Sequence, residues 1–169
     1  IWSLCAPDMG EIAILDRFKQ IKPKLLICQD SYIYAGKIIN KVNSLKEIIK
    51  NLPSLSYTII VKIKDNQITA KQLEWDNVMC LRGESQIEMV PFDHPLWIVY
   101  SSGTTGNPKP IVHGHGGILV EMTKQSLHMD LTKNDHFCWL TSSGWIMWNA
   151  QLIALLRKCS IAMFDFAPN

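Results

Sequence analysis

Leu96-Trp97-Ile98-Val99-Tyr100-Ser101-Ser102-Gly103-Thr104-Thr105-Gly106-Asn107-Pro108-Lys109-Pro110-Ile111-Val112 is the stretch on which the fold turns. Leu96 to Tyr100 has the length and the aromatic, β-branched composition of a buried strand, and Pro110-Ile111-Val112 is a second short apolar piece. Between them, Ser101 to Lys109 carries almost no side chain that packing could use. Gly103 and Gly106 can take φ > 0 and leave room beside the backbone, so successive N–H groups can turn toward one anion. Ser101, Ser102, Thr104 and Thr105 add hydroxyl donors, and Lys109 adds a mobile positive charge. Donors, space and a cation make a cradle for a polyphosphate. It is not of the Walker type, because Lys109 follows Pro108 rather than Gly and no Ser or Thr follows it. A flexible hairpin rich in Gly, Ser and Thr is the bland alternative, and Gly103-Thr104-Thr105-Gly106 alone would not exclude it. The whole nine-residue pattern would arise by chance in a chain this long with a probability on the order of 10⁻⁵, from background composition.

Outward from the loop, strands alternate with helices. Asp8 is placed to cap a helix over Met9 to Gln20, with Ile12, Leu15, Phe18 and Ile21 at helical spacing. Pro23 ends it, and Lys24 to Cys28 reads as a short buried strand. The spacing of Ile38, Ile39, Val42, Leu45, Ile48 and Ile49 predicts a second amphipathic helix, broken by Pro53. Tyr57 to Ile63 is the clearest strand outside the loop region. Residues 64–95 are weakly patterned, with a short helix near Glu74 to Met79. Beyond the loop the pattern predicts a helix from Gly117 to Met129 and a strand from Phe137 to Leu140. A helix from Ile146 to Arg157 and a strand from Ile161 to Phe164 follow. The fold class is therefore α/β, with a largely parallel sheet covered on both faces.

A chain of 169 residues has one domain as its soft prior and buries about 68–70% of its unfolded surface. The apolar fraction of 47% and charged fraction of 19% fit a packed globular chain and exclude disorder. A formal charge of +2 is too mild to imply nucleic acid. The basic residues between Arg17 and Lys50 interleave with apolar ones, as on a solvated helix face. Five cysteines, Cys5, Cys28, Cys80, Cys138 and Cys159, are odd in number and far apart, several of them within apolar runs. With no Asn-x-Ser/Thr acceptor, they favour a reducing, cytoplasmic setting. No apolar run reaches the ~18 residues of a membrane span, and no charged-then-apolar leader opens the chain. Ile1-Trp2 reads like the middle of a strand, which predicts an internal fragment of a longer protein.

Two further features carry candidate chemistry. His113, His115, His128 and His136 have no acidic or Cys partner at ligand spacing, so no metal site is expected. His113, just past the strand that leaves the loop, suits a hydrogen-bonding role near a nucleotide or acyl pocket; a structural histidine is the alternative. In Gly144-Trp145-Ile146-Met147-Trp148-Asn149, the spacing of Trp148, Leu152 and Leu155 or Leu156 predicts a core stripe. Trp145 and Asn149, at the N-terminal end, are candidates to wall a small-substrate pocket. There is no Gly-x-Ser-x-Gly elbow to support hydrolase chemistry.

The nine loop residues resemble, position by position, the phosphate-loop signature of the adenylate-forming enzymes, which include acyl-CoA synthetases, luciferases and peptide-synthetase adenylation domains. Ile14 to Lys24, His94 to Trp97, Ile111 to Gly117 and Gly144 to Asn149 are similar to the acetoacetate-activating branch of that family. Its acetate and propionate branches typically follow Gly-Trp with small residues and His, so Met147-Trp148-Asn149 tilts the choice. Pro110 departs from the family pattern, where a small or apolar residue follows the Lys. The resemblance implies part of a large N-terminal AMP-binding domain spanning residues 1–169, without the C-terminal domain. It also implies a two-step ligase using ATP, Mg2+ and CoA: a carboxylate attacks the α-phosphate, giving an acyl-adenylate and pyrophosphate, and the CoA thiol then displaces AMP. Ser101, Ser102, Gly103, Thr104, Thr105, Gly106 and Lys109 would bind the nucleotide, with Lys109 and Thr104 acting in the chemistry. His113, Trp145 and Asn149 would lie at the substrate pocket. An acetyl- or propionyl-type ligase, or a nucleotide-phosphate-binding module without turnover, are the alternatives. Oligomeric state is not legible.

Overall fold

The computed structural model describes residues 1–62, 68–101 and 106–164. In chain order it forms β1 (Trp2–Ser3), α1 (Glu11–Ile21), β2 (Leu25–Gln29), β3 (Ser31–Tyr34), β4 (Lys37–Asn40) and α2 (Val42–Lys50). Then follow β5 (Tyr57–Val61), β6 (Gln72–Glu74), α3 (Trp75–Met79), β7 (Pro95–Ser101) and β8 (Lys109–Gly114). The last elements are α4 (His115–His128), β9 (His136–Phe137), α5 (Ile146–Ala150), α6 (Ile153–Leu156) and β10 (Ser160–Ile161). The expected α/β class is borne out. Strands pair in parallel in β1–β7, β2–β5, β5–β6 and β9–β10, and antiparallel only in the hairpins β3–β4 and β7–β8, among the described residues. No described helix is long and apolar enough to cross a membrane. Where one domain was the prior, contacts divide the chain into two compact units.

In the unit built mainly from Pro7–Ile87, the sheet order is β2-β5-β6. Leu45 and Ile48, with Val42 and Ile49 beside them, line one side of α2; Leu45, Val42 and Ile49 pack with Ile60, Ile68 and Cys28. The expected helix from Ile38 onward starts later. Tyr32, Ile33, Ile38 and Ile39 pair instead across β3–β4, because Ala35 (φ 47°) and Gly36 (φ 72°) form a left-handed turn that reverses the chain. Asn40 Oδ1 then accepts the Val42 N–H at 2.9 Å and opens α2. Asp8 does not cap α1; Gly10 holds the N-cap position without a side-chain acceptor. The buried face of α1 is Ile14 and Phe18, one helical turn apart, while Ile12 stays 77% exposed. Lys22 (φ 48°) closes α1 by donating its N–H to Phe18 O. The strand expected to reach Ile63 is seen to Val61, and Ile63 lies outside the described residues.

In the other unit, β7 is the centre of the sheet β1-β7-β8, so Ile1-Trp2 does open on a strand, with Trp2 in register with Trp97. The core joins Trp97, Ile118, Met122, Leu131, Ile153, Ala154 and Cys159. The single helix expected over Ile146 to Arg157 is two short ones. Bonds from Trp148 N to Trp145 O, Leu152 N to Asn149 O and Ala154 N to Gln151 O span three residues rather than four. That tighter winding rotates the buried side onto Ile146, Asn149, Ile153 and Ala154. Leu152, Leu155 and Leu156, expected in the core, are exposed. The strands expected at 137–140 and 161–164 shrink to two residues each, because Trp139 N–H goes to a side chain, Gln151 Oε1, rather than to a ladder. No disulfide joins the five cysteines; Cys159 is buried, Cys5 and Cys28 are half-buried, and Cys80 and Cys138 are exposed.

Candidate functional site: the stems of the loop and the Trp-Asn turn

The two apolar pieces that flank the loop form one antiparallel pair with Tyr100 opposite Pro110 and Ser101 opposite Lys109. Direct opposition brings the first and last loop residues to a Cα separation of about 5 Å. The two ends of the loop are therefore joined by a ladder, and Lys109 is exposed. Pro110 fits because β8 is an edge strand among the described residues, where a missing N–H is tolerated. A Cβ on Gly106 would meet no described atom within 4 Å, so the backbone there is open to an approaching group. Ser102, Gly103, Thr104 and Thr105 lie outside the described residues.

Side chains of opposed residues share a face, so Lys109, Ile111 and His113 lie on the same side of the sheet as Ser101, Val99 and Trp97. His113 is about 13 Å along the strand from Lys109, from the strand rise, and sits across from Trp97 instead. The structure thus joins Ser101 to Lys109 but not His113 to either. Just beyond, the glycines of the His113-Gly114-His115-Gly116-Gly117 stretch acquire reasons. A Cβ on Gly114 would come within 3.1 Å of the Asp93 backbone, and one on Gly116 within 2.1 Å of the Phe92 ring. His94 O and Phe92 O accept the His115 and Gly116 N–H groups at 2.9 and 2.8 Å. The first two N–H groups of α4 are thereby satisfied by protein carbonyls.

Trp145 occupies the N-cap of α5 and is 55% exposed. Its N–H donates to Ser142 O, and Gly144 N–H to Ser142 Oγ, so a tight turn presents the indole. Asn149 lies one turn further and is only 4% exposed, on the side that enters the core. Its Oδ1 has no hydrogen-bond partner among the described residues, and neither has the buried indole N–H of Trp97. Sequence reasoning missed two glutamines. Gln151, buried, accepts the Trp139 N–H at 3.4 Å and faces Trp148 O at 3.5 Å, pinning the segment that leads to Trp145. Gln20, on α1, donates to Pro108 O at 2.9 Å. Neither gave a signal, since a glutamine on an amphipathic helix is ordinarily a surface residue.

Away from these groups, burial and then the Asp30 charge push the Cys28 thiol up to about 12. The Thr132 N–H and then its hydroxyl hold the Asp135 carboxyl below its usual range.

Residues 1–168 match the AMP-binding enzyme family. The chain belongs to that family. It is 36% identical over 180 residues to acetoacetyl-CoA synthetase of Gallus gallus, with 99% of this chain and 27% of that protein covered. Acetoacetyl-coenzyme A synthetase of Rhizobium meliloti (strain 1021) is 36% identical over 175 residues, with the same coverage. Malonamoyl-CoA synthetase of Penicillium aethiopicum is 34% identical over 181 residues, covering 99% and 25%. The solved acetoacetyl-CoA synthetase from Streptomyces lividans superposes with a TM-score of 0.94 at 43% identity, covering 99% of this chain and 26% of that one. The chain thus spans about a quarter of the length of the relatives it matches.

Proposed function

We propose that the protein carrying this chain is an ATP-dependent acid–CoA ligase for a short carboxylate with a carbonyl at the β position, acetoacetate foremost. Residues 1–169 would be part of its N-terminal adenylation domain, with the C-terminal domain supplied by chain outside them. The observation that supports the reading is the pairing of the two loop stems, with Ser101 opposite an exposed Lys109. The choice of acid rests on the relatives. Acetoacetyl and malonamoyl groups differ at the terminal position but share a carbonyl on the β carbon, and both name proteins similar to this chain.

The carboxylate oxygen bonds to the α-phosphorus of ATP as the bond to the pyrophosphate oxygen breaks; the CoA sulfur then bonds to the acyl carbon and AMP leaves. In the first step Lys109 would neutralise charge on the departing pyrophosphate, with Ser101, Ser102, Thr104, Thr105 and the loop amides, including those of Gly103 and Gly106, as hydrogen-bond donors. Mg2+ would arrive on the phosphates and neutralise their charge; among the described residues no three His, Cys, Asp or Glu side chains cluster to hold it. A β-carbonyl oxygen needs a donor, and the side-chain NH2 of Asn149, buried four residues beyond the exposed Trp145, would supply it. His113 would be a neighbouring polar group in the substrate region. Pyrophosphate release with acetoacetate, butyrate, propionate and acetate tests the reading. Preference for acetoacetate over butyrate, its analogue lacking the carbonyl, is expected. A higher kcat/KM for butyrate would overturn the choice of acid, and no acid-dependent release would overturn the ligase.

A further inference from the structure

We propose that Gln20 is a positioning residue that orients Lys109 by holding the carbonyl of Pro108. The inference rests on the ligase reading above. Gln20 Nε2 donates to two carbonyls, Asp16 O at 2.6 Å and Pro108 O at 2.9 Å. An amide nitrogen has two hydrogens, so both are used, and because both partners are acceptors the orientation of the amide is decided rather than arbitrary. The first bond pins the side chain against its own helix. The second spans 88 residues of sequence to reach the loop stem. Gln20 and Pro108 fall in the same compact unit.

Pro108 is a consequential atom to hold. Its oxygen belongs to the planar peptide unit whose other half is the nitrogen of Lys109, so fixing that oxygen fixes the plane from which the Lys109 side chain departs. The proline ring sets φ near −65° and confines Asn107 to extended conformations, leaving the stem few other adjustments. Within the strand pair, the ladder joins Lys109 to Ser101. Lys109 is thus paired with Ser101 in the ladder, and the residue that precedes it is held by Gln20. Gln20 itself is exposed, so its role is not core packing.

The test uses the catalytically active polypeptide that carries these residues. Acid-dependent ATP–pyrophosphate exchange is measured for the wild type, Gln20→Ala, Gln20→Glu and Gln20→Lys, with hydrogen exchange of the 101–109 peptide followed in parallel. One neutral hydrogen bond corresponds to about a 3- to 10-fold effect. Gln20→Ala should raise KM for ATP or lower kcat by that factor while KM for the acid and the melting temperature stay put, and exchange of the loop peptide should quicken. Gln20→Glu, which points acceptors at acceptors, should do worse, and Gln20→Lys, which keeps a donor of similar reach, should recover part of the loss. Equal effects on both substrates, or wild-type values and unchanged loop exchange in Gln20→Ala, would overturn the proposal. A wild type that shows no exchange on any acid sinks the ligase reading first, and the two failures are told apart by that control.

Discussion

Two buried clusters among the described residues treat polar atoms differently. Around Ile60, Leu45 and Ile68 the apolar side chains close on one another, and the buried polar neighbours are matched: Ser31 Oγ donates to Asp30 Oδ1 at 2.8 Å, and Lys41 N–H to Asp30 O. Around Trp97 and Ile153, Asn149 Oδ1 and the Trp97 N–H are left unmatched among the described residues. An unmatched buried group costs roughly 1–3 kcal/mol, so a cluster shaped by packing alone does not keep one. The cluster that does is the one carrying the loop strands and the Trp-Asn turn. The difference teaches where to look for binding: in the core that is imperfect as a core.

Large-to-small changes set the scale. Ile60→Ala should cost about 2–5 kcal/mol in urea unfolding, since Ile60 is fully buried and its neighbours cannot collapse freely. A loss under about 1 kcal/mol would break the description of that cluster as tightly packed. Next come the polar positions, where the two clusters should part. Ser31→Ala strips a donor from buried Asp30 and should cost about 1–3 kcal/mol. Asn149→Leu removes a buried amide whose oxygen is unmatched, at similar size, and should leave stability unchanged or raised, while lowering the preference for acetoacetate over butyrate. If Asn149→Leu destabilises as much as Ser31→Ala, the contrast between the clusters is lost.

Titration sharpens the same contrast. Burial keeps Cys28 a neutral thiol in the folded chain up to about 12, whereas in the unfolded chain it ionises near its ordinary value. The stability it contributes is complete below the unfolded value and is lost as pH rises toward about 12. Cys28→Ala should flatten this alkaline slope in pH-dependent unfolding. A slope unchanged by the substitution would place its origin elsewhere. The smallest effect concerns the hairpin. Ala35 pays for a left-handed backbone that glycine adopts freely, so Ala35→Gly should stabilise by up to about 1 kcal/mol in thermal melts, and a lower melting temperature would count against strain at that turn.

Much of the fold could be read from the residues. The strand before the loop, the helix after it, and α2 announce themselves by periodicity, and the loop by composition. The errors have a common cause. Ile38 and Ile39 continue the helical spacing of α2 by coincidence, and only the left-handed pair Ala35-Gly36 assigns them to a strand. Leu152, Leu155 and Leu156 sit at helical spacing from Trp148, yet three-residue hydrogen bonds turn them outward. In both places a backbone choice that side-chain pattern does not encode decided the face. As candidates, the loop, Lys109 and Trp145 stand out in the sequence because their composition is unusual. Gln20 and Gln151 were not, because a glutamine's role depends on which carbonyl it meets.

By itself, the sequence determined the α/β alternation and membership among the AMP-binding enzymes, since local spacing and a distinctive loop composition suffice for these. Only the tertiary structure decided that Ser101 faces Lys109, that Asn149 is buried, that α4 is capped by Phe92 and His94, and that Gln20 reaches Pro108. Those facts join residues up to 88 positions apart, and long-range pairing is fixed by register and packing rather than by any local pattern.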